Sequence, residues 1–250
     1  MWNLISTRIT QFSYLDHVLG SPIWKGRRIL DLGGNIGNFL VGAGDATDHD
    51  DYWCIDISKT VVEHGRRTYP RAHFVHFNRY SPQYNPNGIR NLAIPDCGLK
   101  FDIIIAFSVF THMHHCEMQE LVAQLRGMLA PGGVLVFTFT DPSYDKSLSD
   151  PTLPSGTEVR KMLEWEKLEN PMLEIDDMVE RARQSKWCVL IDDELYVEPG
   201  DELSHHQRRG KPLESYNSYF AVDYVASLFP DGIVHAPVSP DWQHCCILRS

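Results

Sequence analysis

The sequence of 250 residues lacks the segments that define a membrane protein or a disulfide-bonded secreted protein. Its apolar runs, of which residues 101–107 are typical, are far too short to span a bilayer. The first twenty residues contain no basic region followed by an apolar core, so we expect no signal peptide. The six cysteines are scattered and form no C-x-x-C pair, which argues against a disulfide framework and a structural zinc site. We therefore expect a cytoplasmic protein with no membrane partner.

Basic residues are also scarce. There are 23 Lys and Arg against 33 Asp and Glu, which gives a formal net charge of −10. An acidic surface repels phosphate backbones, and the two basic patches, residues 25–28 and 208–211, are short. We therefore expect no nucleic-acid partner. Apolar residues make up 43% of the chain, enough for the core of one globular domain.

Up to about Asp141, short apolar strands alternate with helical segments. Strands are predicted at residues 27–32, 51–57, 72–77, 101–110 and 134–139. Helices are predicted at residues 36–44, 58–70 and 115–130. Strands separated by helices indicate βαβ units and a parallel sheet covered on both faces, hence the α/β class.

Two regions interrupt this alternation. Residues 78–99 are rich in Pro, Asn and Gly and are predicted to form a long irregular loop, with or without one short helix. Residues 142–216 change composition and predict an insertion with two helices and one or two strands. A helix is predicted at residues 218–229 and a last strand at residues 242–250. The prediction is one domain over 1–250, with a core at about 25–141 and 217–250.

The turn after the first strand, residues 31–37, discriminates between nucleotide-binding motifs. A dinucleotide fingerprint read from Gly33 needs glycine at two positions that hold Asn35 and Asn38. A P-loop needs a lysine that is missing here. The pattern that fits is D-x-G-x-G-x-G from Asp31 to Gly37, with Asn35 in place of the middle glycine. Since asparagine tolerates left-handed backbone, we predict a positive φ at Asn35.

This motif and three later segments resemble the class I S-adenosylmethionine (SAM)-dependent methyltransferases. The later segments are "YWCIDIS" with Asp56, "LAIPDCGLKFDIIIAFSVFTHM", and "LRGMLAPGGVLVFTF", in the family's order. Together they cover residues 28–140. The resemblance implies a Rossmann-like, mostly parallel seven-stranded sheet with helices on both faces, and a lid-like insertion after the fifth strand. It also implies SAM as cofactor and S-adenosylhomocysteine (SAH) as product.

The resemblance assigns the cofactor-binding residues. Asp31 and Gly33 would lie at the methionine end of SAM, and the backbone from Gly34 to Gly37 would line its amino-acid part. Asp56 would bind the ribose hydroxyls, and Ile57 and Asn78 would face adenine. Phe107 and Ser108 would lie beside the sulfonium. The complete predicted set is Asp31, Gly33, Gly34, Asn35, Gly37, Asp56, Ile57, Asn78, Phe107 and Ser108.

His112, which follows the fourth strand, is the candidate general base, and a structural role for it is left open. Asp141 is a second rim residue, for which turn formation is an equal explanation. The run from His112 to Glu117 invites a metal site, but adjacent residues in a helix point in different directions. We therefore predict no metal. His206, in the insertion, is predicted to lie in a solvated loop.

The predicted activity is methyl transfer to O, N or C of a small organic acceptor, as in secondary metabolism. The fourth strand carries no N-P-P-[YF] tetrapeptide, which argues against a nucleic-acid base as acceptor. Aromatic residues of the insertion either fix it to the sheet or form a lid; they are Trp165, Trp187, Tyr196, Tyr216, Tyr219 and Phe220. The alternative is a SAM-fold protein that binds the cofactor but catalyses another reaction or assists a partner enzyme.

Overall fold

The structure is a computed structural model that describes residues 4–145, 147, 155–167, 170, 172–205, 213–237 and 243–250. For residues 4–10, 166, 204 and 205 only the backbone is described. The chain divides into two compact units. The first unit comprises Met1–Val109, Leu121–Phe137 and Ile247–Ser250, and the second comprises Phe110–Glu120 and Thr138–Cys246.

The strands and helices are numbered in chain order. The strands are β1 (Ile29–Leu32), β2 (Tyr52–Asp56), β3 (His73–His76), β4 (Phe101–Ala106), β5 (Leu129–Phe139), β6 (Trp187–Ile191), β7 (Glu194–Val197), β8 (Tyr216–Phe220), β9 (Ile233–His235) and β10 (His244–Arg249). The helices are α1 (Leu4–Val18), α2 (Asn38–Ala43), α3 (Lys59–Thr68), α4 (His115–Gly127), α5 (Glu158–Glu166), α6 (Ile175–Gln184) and α7 (Val222–Leu228).

The main sheet has seven strands in the order β3-β2-β1-β4-β5-β10-β9. The pairs β1–β2, β1–β4, β2–β3 and β4–β5 are all parallel. This confirms the predicted mostly parallel, Rossmann-like sheet. Strand order reverses between β1 and β4, and ligands of open α/β sheets bind beyond the carboxyl ends of the strands at such a switch point.

The strands around the switch point are apolar because they are buried on both faces. All four residues of β1 are buried, and β4 exposes little beyond Asp102. Helix α3 packs closely on β3, since an added Cβ at Gly65 would lie 2.2 Å from the ring of Phe74.

The loop at residues 78–99 is irregular, as predicted, and contains no helix. Helix α1 was not predicted from the sequence.

The second unit contains a three-stranded antiparallel sheet in the order β7-β6-β8. Its strands include the pair predicted in the insertion, and α5 and α6 match the two predicted helices. Residues of α5, α6, β6 and β8 share one apolar cluster that includes Leu163, Val179 and Leu190. The cluster gives the predicted insertion a core of its own, while the assignment of the chain to a single domain stays a prediction.

The prediction of one helix over residues 218–229 is wrong in its first part. Residues up to Phe220 belong to β8, which pairs with β6 from Trp187↔Phe220 to Ile191↔Tyr216, and the helix begins at Val222. The aromatic residues of this stretch favour a pleated surface where a partner strand is available. That partner, β6, is distant in sequence, so the local pattern did not reveal it.

Among the described residues, no helix is long and apolar enough to cross a membrane.

Candidate functional site

In the first unit, a short glycine-rich turn joins the end of β1 to the start of α2. Gly33 donates its N–H to the carbonyl of Ile55 at 2.7 Å, which ties the turn to β2. The φ angles are 70° at Gly33, 56° at Asn35 and 89° at Gly37. The predicted positive φ at Asn35 is confirmed. Left-handed backbone at Gly37 also explains why α2 begins at Asn38 rather than at the predicted Ile36.

Two glycines of the turn have no room for a side chain. A Cβ added at Gly34 would lie 2.5 Å from Oδ2 of Asp31 and 2.9 Å from Sγ of Cys54. A Cβ added at Gly33 would lie 2.6 Å from Cγ2 of Val109. Val109 directly follows the predicted cofactor residues at the end of β4. The turn after β1 and the turn after β4 are therefore in contact.

Asp31, on β1 under the turn, is almost completely buried, with 1% of its surface exposed. Its Oδ2 accepts the hydroxyl hydrogen of Tyr52 at 2.6 Å, whereas Oδ1 is buried without a hydrogen-bond partner among the described residues. Burial raises the pKa of Asp31 to about 7; the Tyr52 hydrogen bond lowers it, and the charge of Asp56 raises it. A buried carboxylate oxygen without a partner is suited to a cationic ligand group.

Asp56, the last residue of β2, is held by the backbone. Its Oδ2 accepts the N–H of Asn35 at 3.0 Å, and its Oδ1 accepts the N–H of Ser58 at 2.8 Å. Burial raises the pKa of Asp56, and the two backbone hydrogen bonds oppose that shift. Since a carboxylate oxygen has two lone pairs, each still has capacity for a ligand hydroxyl.

Ile57 and Asn78 follow the carboxyl ends of β2 and β3. Ile57 is half-buried next to Asp56. Asn78 is exposed and follows Phe77, whose N–H binds the carbonyl of Asp56 at 2.8 Å, and the Asn78 side chain accepts a hydrogen bond from Asn85.

Phe107 and Ser108 form the turn after β4. The ring of Phe107 meets that of Tyr14 edge-on at 6.2 Å between centroids. Ser108 has a φ of 57°, an uncommon backbone conformation for serine and one that is found at functional turns.

Sequence reasoning missed Tyr52 and Cys54. The Cys54 thiol donates to the carbonyl of Asn35 at 3.4 Å, so both side chains support the turn from below. A signal was present: Tyr52, Cys54 and Asp56 alternate along β2, and alternate residues of a strand share one face. The face of β2 that carries Asp56, the residue predicted to bind the ribose, therefore also carries Tyr52 and Cys54, which bind Asp31 and Asn35.

His112 belongs to the second unit. Its Nδ1 lies 2.9 Å from the carbonyl of Tyr216, and because a carbonyl only accepts, Nδ1 carries the proton. Nε2 is then the basic nitrogen of the neutral ring. Burial lowers the pKa of His112, against the opposing effect of that hydrogen bond, so the ring is neutral at pH 7. This tautomer is compatible with a general base and with a structural link to β8.

Asp141 and the insertion residues show mainly structural contacts. Asp141 accepts hydrogen bonds from Ser143 and from the N–H of Val222, which favours the turn-forming interpretation. Of the insertion aromatics, Trp187, Tyr216, Tyr219 and Phe220 are buried, whereas Trp165 is 71% exposed. The Ser204–His206 candidate lies outside the residues whose side chains are described.

The family model described as "Methyltransferase domain" matches residues 30–135 of the chain. This segment contains the glycine turn, Asp56, the fourth-strand turn and the Pro-Gly-Gly segment. The match confirms the resemblance that the four motifs predicted.

Solved structures with this fold cover almost the whole chain. An S-adenosylmethionine-dependent methyltransferase from Mesorhizobium loti is 13% identical, with a TM-score of 0.51, over 96% of this chain and 98% of that one. SAM-bound CalS10 from Micromonospora echinaspora, an amino pentose methyltransferase, is 12% identical, with a TM-score of 0.52, over 99% and 92%. The glycopeptide N-methyltransferase MtfA with sinefungin is 11% identical, with a TM-score of 0.52, over 96% and 85%.

These likenesses show that the chain has the fold of these structures. The family match over residues 30–135, the motif order and the sheet topology show that the chain contains a segment similar to methyltransferase domains and has the fold of S-adenosylmethionine-dependent methyltransferases.

Proposed function

We propose that the protein binds SAM at the glycine turn of the first unit and transfers its methyl group to a small organic acceptor. The observation that carries the proposal is the pair of buried carboxylates, Asp31 and Asp56, at the carboxyl ends of adjacent strands. One oxygen of Asp31 has no partner in the part of the chain that the structure describes, and Asp56 is fixed by two backbone N–H groups. SAM carries both a cation and two ribose hydroxyls, the groups that these carboxylates would bind.

The ammonium of SAM would bind at Asp31. Its unpaired Oδ1 can accept a charge-assisted hydrogen bond, and a nearby cation would favour the ionised carboxylate over the neutral form. Gly34 keeps the turn backbone free of a side chain beside this carboxylate. The residues present therefore fit the amino-acid part of SAM.

The ribose would bind at Asp56, and the carboxylate would repel the 2′-phosphate of an NADP-type ligand. The backbone N–H of Asn35 donates to the same carboxylate, so the turn and the Asp56 side chain are positioned together. Ile57 and Asn78 would then flank adenine, and Phe107 and Ser108 would lie beside the sulfonium.

When bound, SAM supplies a methyl carbon already activated by its sulfonium, so the protein mainly contributes alignment and exclusion of water. A hydroxyl or ammonium acceptor must also lose a proton. We propose His112 for this role, because its tautomer presents Nε2 as a base and burial keeps the ring neutral.

A small acceptor is supported by two considerations. The net charge of −10 disfavours a nucleic acid. Two of the matched structures are named as an amino pentose methyltransferase involved in calicheamicin biosynthesis and a glycopeptide N-methyltransferase, so the fold accommodates secondary-metabolite acceptors. We propose an acceptor of this general size, in secondary metabolism, for the present protein.

The first test is titration of the protein with SAM, SAH and NAD by calorimetry, in wild type and in Asp56→Asn. Loss of ribose hydrogen bonds to a charged acceptor costs about 1.5–3 kcal/mol, so Kd for SAM should rise at least about tenfold. Asp45→Asn, an exposed aspartate, is the matched control and should leave Kd unchanged. Thermal unfolding checks that Asp56→Asn is folded, because that residue also anchors the turn.

Equal SAM affinity in folded Asp56→Asn, or tighter binding of NAD than of SAM, would contradict the proposed cofactor site. Release of SAH with candidate acceptors then tests the activity. Binding of SAM without SAH release from any acceptor would favour the alternative of a cofactor-binding protein that does not methylate.

Removal of the hydroxyl in Tyr52→Phe tests the role of the Asp31 carboxylate. The variant keeps the ring stacked on Phe39 but loses a hydrogen bond that lowers the Asp31 pKa, so that pKa should rise further from its value of about 7. SAM needs the ionised carboxylate, so the variant should bind more weakly. The ratio of variant to wild-type Kd should shrink as pH rises from about 6 to about 8.

Protonation of the cofactor's own amino group affects both proteins equally and cancels in this ratio. Tyr84→Phe removes the hydroxyl of a half-exposed tyrosine and serves as the control. A Kd ratio that stays constant with pH would show that SAM binding does not depend on the ionisation of Asp31.

For His112→Gln we expect kcat to fall by about 10²–10⁴-fold with little change in Kd for SAM, because glutamine can still donate to the Tyr216 carbonyl but cannot act as a base. In wild type, activity should be lost as pH falls through the lowered pKa of His112, since the protonated ring is no base. The variant should not show this loss of activity at low pH. If it does, and if its kcat stays within a few-fold of wild type, His112 has a structural role.

A further inference from the structure

Three metal-ligand side chains converge in the second unit, apart from the residues assigned to SAM. His114 precedes α4, Cys116 lies in its first turn, and Asp201 begins the short 3₁₀ helix Asp201–His205. One ligand atom from each of these three residues lies within 4.8 Å of the other two. Imidazole, thiolate and carboxylate are together a ligand set typical of Zn²⁺.

The imidazole of His114 is already oriented as a metal ligand. The residue is completely buried, and its Nε2 lies 3.1 Å from the carbonyl of Gly200. Because the carbonyl only accepts, Nε2 carries the proton and Nδ1 carries the acceptor lone pair. Nδ1 lies 3.0 Å from Sγ of Cys116. A backbone carbonyl that fixes the tautomer of a ligating histidine is a common arrangement at metal sites.

Small adjustments would complete a tetrahedral arrangement. Ligand atoms that lie about 2.0–2.3 Å from Zn²⁺ are about 3.3–3.7 Å from each other. The His114–Cys116 pair would open by about half an ångström from its present separation. Asp201 would move inward, which its side chain permits because it is 83% exposed. Oδ1 of Asp201 also lies 3.7 Å from Nε2 of His115.

The sequence argument against a metal assumed that His112 to Glu117 all lie on one helix. Helix α4 begins at His115, so His114 is outside it and its ring direction is not set by helical geometry. The third ligand comes from a segment distant in sequence. The competing explanation is a helix cap: the N–H of Cys116 approaches Nδ1 of His114 at 3.4 Å, and Glu117 accepts the N–H of His114 at 3.2 Å. A cap alone gives no role to Asp201.

We propose that His114, Cys116 and Asp201 form a mononuclear Zn²⁺ site. Nδ1, Sγ and a carboxylate oxygen are the three protein ligands, and water takes the fourth position. Binding releases the thiol proton of Cys116 to solvent and leaves a thiolate on the metal. The ion links the start of α4 to the 3₁₀ segment at Asp201 and stabilises both.

The test uses the full chain, purified with a reductant and stripped of metal, and ZnCl₂ as the probe. Calorimetry should show one Zn²⁺ per chain, and CoCl₂ should give the charge-transfer absorption of a cobalt–thiolate bond. Cys116→Ser should abolish that absorption. Both Cys116→Ser and Asp201→Asn should weaken Zn²⁺ binding by more than the about 10–100-fold typical of losing a second-shell group. The matched controls are Cys97→Ser and Asp223→Asn.

Asp201 is mostly exposed, so Asp201→Asn keeps the test informative if Cys116→Ser does not fold. Substoichiometric Zn²⁺ binding, cobalt absorption without a thiolate band, or equal affinity in Asp201→Asn and Asp223→Asn would overturn the proposal and leave the cluster as a helix cap.

Discussion

The first unit depends on a buried carboxylate at the end of β1. Asp31 occupies the space that a side chain at Gly34 would need, so the turn above it must be glycine. Burial disfavours the charge of Asp31, and the Tyr52 hydroxyl offsets only part of that cost. Within the described ranges, one oxygen of the carboxylate is unpaired, a state that a cationic ligand would relieve. The glycine turn, the polar face of β2 and the proposed specificity for SAM all follow from this arrangement.

The same constraint separates the roles of the two aspartates. Asp56 is bound by the N–H groups of Asn35 and Ser58, so its position is fixed before any ligand arrives. Among the described residues no backbone N–H donates to Asp31, and its pKa is raised by burial and by the charge of Asp56. The proposed site would therefore combine a rigid acceptor for hydroxyl groups, Asp56, with a charge-sensitive acceptor for an ammonium, Asp31. A dinucleotide has no ammonium at the corresponding position, which is the physical reason to favour SAM.

The parts of the fold that could be predicted from sequence are those encoded locally. The strand-helix alternation from β1 to β5 and the positive φ of Asn35 follow from short patterns of apolar residues and glycine. Strand β8 could not be predicted, because its partner β6 lies in a distant segment. Tyr52 was missed although its alternation with Asp56 was visible. The convergence of Asp201 on His114 and Cys116 is tertiary, so no spacing rule in the sequence reveals it.

The structure of the protein with SAH tests the central claim most directly. The account predicts the ammonium of SAH within hydrogen-bond distance of Oδ1 of Asp31 and both ribose hydroxyls on the Asp56 carboxylate. Asn35 should keep its positive φ, with its amide beside the amino-acid end of the ligand. Binding of SAH elsewhere, or in this turn with Asp31 Oδ1 still unpaired, would contradict the account.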